Sequence, residues 1–275
     1  MLIIGADPAR TRPESNAAIA ANVALRSGYL ASLDINELVR IACAEQHGAL
    51  SGVFLPVTDD AYLASPVRVM LVGQEPRAWG KSLHKLASDA PANDALPAYI
   101  DGQMQKYRNF ASTAPGKSVF RQFHDQLHEA LGCHIAPGRL AVAWTNLLAL
   151  SLNRASARRA SEIAAIAALS RRLLAVQLDV LRPDLVVFAS GWRYDQFVKS
   201  VVGTYTTMPG LVPLEYWPFC VPDRRFDAFR VRHPRRLTAD IRRMLFQSLV
   251  QRAGQVARDR QHAVDAISRA PDQKK

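Results

Sequence analysis

The stretch Val67-Arg-Val-Met-Leu-Val-Gly73-Gln-Glu-Pro-Arg-Ala-Trp-Gly80 decides how the rest of the chain is read. An apolar, β-branched run ends on a glycine, and a polar turn with an acid and a proline follows at once. Short apolar runs bounded by Gly and Pro are the signature of strands buried in a parallel sheet. In open α/β sheets ligands bind in the crevice beyond the carboxyl ends of the strands. Glu75 stands two residues past such an end, which makes it the candidate catalytic acid residue.

Downstream, Leu140 to Leu148 reads as a second strand carrying Trp144, Thr145 and Asn146. Asp184-Leu-Val-Val-Phe-Ala-Ser-Gly191 repeats the pattern of an apolar run ending in glycine. A helix from Ser161 to about Leu181, stopped by Pro183, precedes it, and a helix over 192–202 follows. Two shorter strands are expected at 211–219 and 226–232, and the second delivers His233-Pro234. Ser118 is placed to cap a helix presenting Val119, Phe120, Phe123, Leu127 and Leu131, with Gly132 as its terminator. Thr238 is placed to cap the last helix, and Gly254 marks its kink or end. Between the first strand and the Ser118 helix, Lys81 to Lys117 shows no strong periodicity and reads as a long functional or mobile loop.

At the front, residues 14–30 are alanine-rich and helical in pattern. Asp34 and Glu37 then have capping-box spacing before a second helix, which Gly48 would end. Strands alternating with helices predict an α/β three-layer sandwich. Its central sheet is expected to be mostly parallel with four to five strands, plus an N-terminal helical extension. The expected organisation is a helical cap or extension over 1–60, the α/β domain over 61–254, and a basic tail, expected to fray, over 255–275.

An apolar fraction of 49% supports a real core. The net charge of +11 is uneven: residues 1–65 carry −3 and the remainder +14. That bias suggests a polyanion partner, nucleic acid first, against the plainer reading of a solvated basic surface. Cys43, Cys133 and Cys220 lie far apart and form no Cys-x-x-Cys pair, which argues against a metal cluster or disulfide framework and fits a reducing cytosol. The N-terminus lacks a basic n-region, and no apolar run reaches membrane-spanning length. A cytoplasmic protein with no membrane partner is therefore expected.

Gly80-Lys81-Ser82 and Gly116-Lys117-Ser118 look like phosphate-binding loops. Such a loop needs a glycine five residues before its Gly-Lys glycine, and those positions are Glu75 and Ala111. A nucleotide-binding reading is thereby disfavoured. Three other pieces fall at strand ends: Gly73-Gln74-Glu75-Pro76, Trp144-Thr145-Asn146-Leu147, and Arg232-His233-Pro234-Arg235-Arg236-Leu237. Singly, each has a plain explanation: an exposed turn acid, a strand-end cap, a structural histidine. Together they put three chemistry-bearing groups within reach of one crevice.

In order and spacing these pieces resemble the uracil-DNA glycosylase superfamily. That family has a Gly-Gln-Asp-Pro or Gly-Glu-Ala-Pro motif at the first core strand, a strand-borne Asn in the middle, and a late His-Pro-Ser motif. The resemblance covers about residues 65–250. Glu75 stands where the best-known branch has Asp, Arg235 replaces the usual Ser, and Trp79 before Gly80 marks a divergent bacterial branch. The resemblance implies a monofunctional DNA glycosylase needing neither metal nor cofactor, with DNA as partner and no obligatory protein partner. It makes Glu75 and His233 catalytic, the first acting on the attacking water and the second on the departing base. Gly73, Gln74, Pro76, Trp79 and Asn146 would form the base pocket. Arg235 and Arg236 would hold phosphates, and Leu237 would be the wedge that fills the vacated stack.

The Gln-Glu-Pro variant, the long 81–117 segment and the missing Ser favour a modified or damaged pyrimidine over plain uracil. A bulky modified cytosine of phage DNA, removed as an antiviral defence, is one such substrate. Repair of uracil or other deaminated bases, and a DNA-binding module without turnover, are the alternatives.

Overall fold

Every residue from Val69 to Gly73 is buried, as an unbroken apolar run demands. The computed structural model describes residues 14–44, 50–77, 79–80, 83, 95–112, 118–135, 141–152 and 163–269. In chain order the elements are α1 (Asn16–Ser32), α2 (Ile35–Cys43), the short α3 (Asp60–Leu63), β1 (Val69–Gly73), α4 (Ala95–Ala111) and α5 (Val119–Ile135). Then come β2 (Val142–Asn146), α6 (Ala164–Leu181), β3 (Leu185–Phe188), α7 (Asp195–Val202), β4 (Thr206–Thr207), β5 (Tyr216–Val221), β6 (Phe226–Val231) and α8 (Ala239–Arg269).

The six strands form one sheet in the order β2-β1-β3-β6-β5-β4. β2, β1, β3 and β6 are mutually parallel, β5 runs antiparallel to β6, and β4 antiparallel to β5. Alternate residues of a strand point to opposite faces, and here they divide two cores. Val69, Leu71, Val187 and Phe229 pack with Phe123 and Leu127 of α5 and Leu245 and Leu249 of α8. Met70, Val72, Val186 and Phe188 pack with α1, α2 and α6. Helices on both faces of a mostly parallel sheet make the expected three-layer α/β sandwich.

Local chemistry sets the helix ends. The Ser15 hydroxyl accepts from the Ala18 amide at the start of α1, and the Asp34 carboxylate accepts from the Asn36 amide at the start of α2. Ser118 does the same for Arg121 at α5. α6 stops at Leu181, where Arg182 turns left-handed with φ 45° just before Pro183. Proline cannot continue the helix and steers its predecessor away from helical geometry.

Several expectations need correction. The sheet has six strands rather than four or five, because Thr206–Thr207 adds a short edge strand. The strand expected at 211–219 is β5 at Tyr216–Val221, with a turn before it. The 81–117 region holds the seventeen-residue helix α4, whose Pro97 falls in the first turn where a missing N–H costs nothing. Helix α5 runs past Gly132 to Ile135, and α8 runs through Gly254 to Arg269. The expected frayed tail is thus helical as far as Arg269. The front of the chain shares the main core through Leu25, Tyr29, Leu38 and Ile41, and the Tyr29 hydroxyl donates to the Pro56 carbonyl. The Gly48 stop, the Ser161 start and Lys81, Ser82, Gly116 and Lys117 of the phosphate-loop lookalikes lie outside the described residues. Among the described residues no helix is long and apolar enough to cross a membrane.

Candidate functional site

Parallel register brings the strand ends together. Gly73, the last residue of β1, pairs with Asn146, the last of β2. Past the strands, the Leu147 amide donates to the Gly73 carbonyl at 2.8 Å and the Leu148 amide to the Gln74 carbonyl at 2.9 Å. On the other side, the Gly191 amide donates to the Val231 carbonyl at 2.9 Å, tying the end of β3 to the end of β6, two residues before His233. Glu75, Asn146 and His233 therefore lie along one carboxyl edge of the sheet.

Gly73 is a steric requirement. A Cβ there would lie 2.4 Å from Asn146 Oδ1 and 2.8 Å from Phe120 Cζ. The Phe120 ring, from the first turn of α5, thus closes over the strand end together with the Asn146 amide. The same ring lies 4.8 Å from Trp144 and 6.1 Å from the His233 imidazole, centroid to centroid.

The Glu75 side chain is 5% exposed, and burial pushes its pKa up to about 7 against the pull of Arg77. Among the described residues its Oε2 has no hydrogen-bond partner, and neither has Asn146 Nδ2 or Trp144 Nε1. Buried polar groups without partners are uncommon in folded proteins, and each calls for a reason. Arg77, 81% exposed, sets its guanidinium 3.9 Å from Glu75. It also acts electrostatically on His233, so one cation serves both candidate catalytic groups.

Burial, with Arg235, Arg77 and Arg236 nearby, lowers the His233 pKa to about 4. The imidazole is neutral at pH 7. Its Nδ1 accepts from the Arg235 amide at 3.3 Å, which leaves the proton on Nε2. The short turn Pro234–Arg236 that follows supplies this amide and holds the ring against rotation.

The remaining sequence candidates divide. Gln74 spends its Nε2 on the Ser190 carbonyl at 2.7 Å, and so braces β1 against the end of β3. The Pro76 carbonyl accepts from the Trp79 amide and the Ser151 hydroxyl. Trp79 is buried in the main core, with its indole N–H on Gln103 at 3.0 Å. It is separated from His233 by a chain of ring contacts through Phe110, Trp144 and Phe120. The aromatic rings beside Asn146 and His233 are those of Phe120 and Trp144. Arg235 and Arg236 are exposed, whereas Leu237 is only 8% exposed and packs with Ile241 and Leu245. Leu237 is a core residue, so its expected role as the wedge is withdrawn.

Two residues escaped the sequence. Phe120 read as one more apolar position on a helix face, and only the fold sets it above Gly73. Arg77 had one available signal, a cation two positions past a strand-end acid. Beyond Leu237, a cleft of about 400 Å³ at the start of α8 is bordered by Arg242 and Arg243, which continue the basic strip. Among the described residues no group of three or more His, Cys, Asp or Glu could hold a metal ion. No family model matches the chain, and no curated protein matches it in sequence.

Proposed function

We propose that the protein is a DNA glycosylase that extrudes a modified or damaged pyrimidine nucleotide and hydrolyses its N-glycosidic bond. The observation that carries this reading is the grouping of Glu75, Asn146 and His233 at one sheet edge around Phe120, with Arg77 acting on both titratable groups.

Hydrolysis breaks the bond between C1′ and the base nitrogen, and its electron pair leaves with the base. Positive charge grows on the sugar and negative charge on the leaving group, so fixed electrostatics dominate the catalysis. The Glu75 carboxylate faces the cationic sugar and takes a proton from the water whose oxygen bonds to C1′. Neutral His233 donates its Nε2–H to an oxygen of the departing base. The free Asn146 Nδ2 supplies donors to the base edge, and the Phe120 face offers a stacking surface. For a base to enter, the Phe120 ring must move off Gly73. Exposed Arg77, Arg235 and Arg236 suit flanking phosphates.

A target base cannot be reached inside a duplex, and the carboxyl edge with the exposed Arg77, Arg235 and Arg236 along it fits the demand for an extruded nucleotide. The site does not read a particular substituent. A panel of duplexes carrying uracil, hypoxanthine, xanthine, hydroxymethylcytosine and glucosylated hydroxymethylcytosine tests the substrate class through abasic-site formation. Glu75→Gln is expected to cut excision by about a hundredfold or more while leaving DNA affinity within about twofold, since it removes charge at the transition state rather than a ground-state contact. Every base left intact by a protein that still binds DNA would replace the enzyme with a binding module. Unchanged excision by Glu75→Gln would remove Glu75 from the chemistry.

A further inference from the structure

Extruding a nucleotide leaves a gap in the base stack, and proteins that open a duplex commonly fill it with an apolar side chain. Leu237 is packed into the core and unavailable. Among the described residues the exposed large apolar side chains are Ile19 and Val23 on α1, and Trp192, Leu211 and Leu214. Helix α1 packs on α6 in the outer helical layer. The other three belong to connections at the catalytic edge. Trp192 follows Gly191, and Leu211 and Leu214 sit in the loop that joins β4 to β5.

That loop is firmly built. Thr206 pairs with Cys220 and Thr207 with Phe219, and the Met208 amide donates to the Pro218 carbonyl. At its tip the Glu215 amide donates to the Val212 carbonyl at 3.1 Å, closing the turn Val212-Pro213-Leu214-Glu215. Leu214 has φ +63°, the left-handed region. Proline second and positive φ third is the pattern of a type II turn, in which the third place normally belongs to glycine. A leucine there costs about 1 kcal/mol, yet its side chain is 50% exposed and little used by the core.

Two anchors fix the turn beside the site. Buried Arg230 donates from Nη1 to the Leu214 carbonyl at 3.0 Å and is itself held by Asp195. Glu215 pairs with Arg232, the residue before His233. The tip is thus one residue from an ion pair whose other member adjoins the candidate catalytic histidine. Exposed Arg193, Arg235 and Arg236 lie on connections at the same carboxyl edge, and this positive charge suits a nucleic-acid occupant better than a protein one.

We propose that the Val212–Glu215 turn is the wedge of this protein: Leu214, backed by Leu211, enters the base stack of a DNA duplex and fills the place of the extruded nucleotide. This rests on the glycosylase reading for its location but is tested by binding alone. The probes are a duplex with a tetrahydrofuran abasic-site analogue beside 2-aminopurine, and the corresponding single strand. Leu214→Gly removes the side chain and eases the backbone at positive φ, so the fold survives; Leu211→Ala is combined with it. The double variant is expected to lose about tenfold or more in affinity for the gapped duplex, together with the 2-aminopurine fluorescence change, and to bind the single strand like the wild type.

Equal loss on both probes, or none on either, would overturn the proposal. So would a duplex-specific loss in Leu237→Ala with the double variant unaffected, or a change in self-association as the double variant's sole effect. Wild-type protein that binds the gapped duplex but excises no base sinks the glycosylase reading, while these same readouts still decide the wedge. Wild-type protein that binds neither probe overturns both.

Discussion

Glu75 is held in conflict. Its carboxyl is nearly enclosed, Oε2 has no partner among the described residues, and the Arg77 guanidinium stands 3.9 Å away on an exposed side chain. Such a group is an asset only to something that arrives with positive charge. Because its pKa is raised from 4.5 to about 7 in the folded state, the folded protein binds its proton more tightly than the unfolded chain does. This contribution to stability is present below pH 4.5 and is lost as pH rises to about 7. Glu75→Gln has no charge to bury and is therefore expected to be the more stable protein at pH 8, by ~1–3 kcal/mol, with little difference at pH 4.5. Denaturant titrations at the two pH values check it. An equal difference at both would mean that the carboxyl is not what destabilises the site. On the glycosylase reading the same group sets an acid limb, so kcat/KM should rise with pH through about 7. His233, neutral above about pH 4, adds no inflection there. Phe120 and Arg77 belong to this scale too, since each matters through contacts with residues that the sequence holds far apart or leaves without a direction.

β1 and β3 were legible because each is buried on both faces, and such strands run apolar throughout. Val69–Val72 and Leu185–Phe188 meet that rule with every residue. β4 could not be read, because both of its residues are exposed and it is defined only by pairing with β5. α4 does carry a signature, since Ile100, Met104 and Tyr107 have the i, i+4, i+7 spacing of a buried stripe, but Pro97 and Gly102 mask it. The His-Pro turn divides by burial. Arg235 and Arg236 face solvent while Leu237 turns into the core beneath α8, so the element offers charge but no apolar wedge. Replacing Arg235 and Arg236 together by Ala should weaken DNA binding and make the slope of log K against log salt shallower by about 2, close to one counterion per lost phosphate contact. Fluorescence anisotropy across a salt series measures this. An unchanged slope would move the phosphate contacts elsewhere, with Arg242 and Arg243 next in line.

At the scale of the whole molecule the two ends of the sheet do different work. The carboxyl edge carries unpartnered polar atoms, a positive-φ leucine and a basic rim. The amino edge is tied down. Asp184, just before β3, accepts from the Arg68 amide before β1 at 2.7 Å and from Arg260 of α8 at 2.7 Å. Arg260 also donates to the Pro66 carbonyl, and Arg252 pairs with Asp227 on β6. Hence α8 clasps the beginnings of β1, β3 and β6, and it needs its length beyond Gly254 to reach the first two. The sequence hides this, because residues 255–269 are polar and their partners lie far away in the chain. Ending the chain after Gly254 removes Arg260 and the packing of Val256 and Ala257 against the core beneath α8. A loss of ~1–3 kcal/mol is expected, since a part-exposed ion pair contributes little and the packing somewhat more. Thermal melting reads the loss. Residues 255–275 carry a net charge of only +2, so DNA affinity measured well below the melting point should be unchanged. An unaltered melting point would show that the helix end is not a clasp, and lost affinity in the folded, shortened protein would place it on the DNA face.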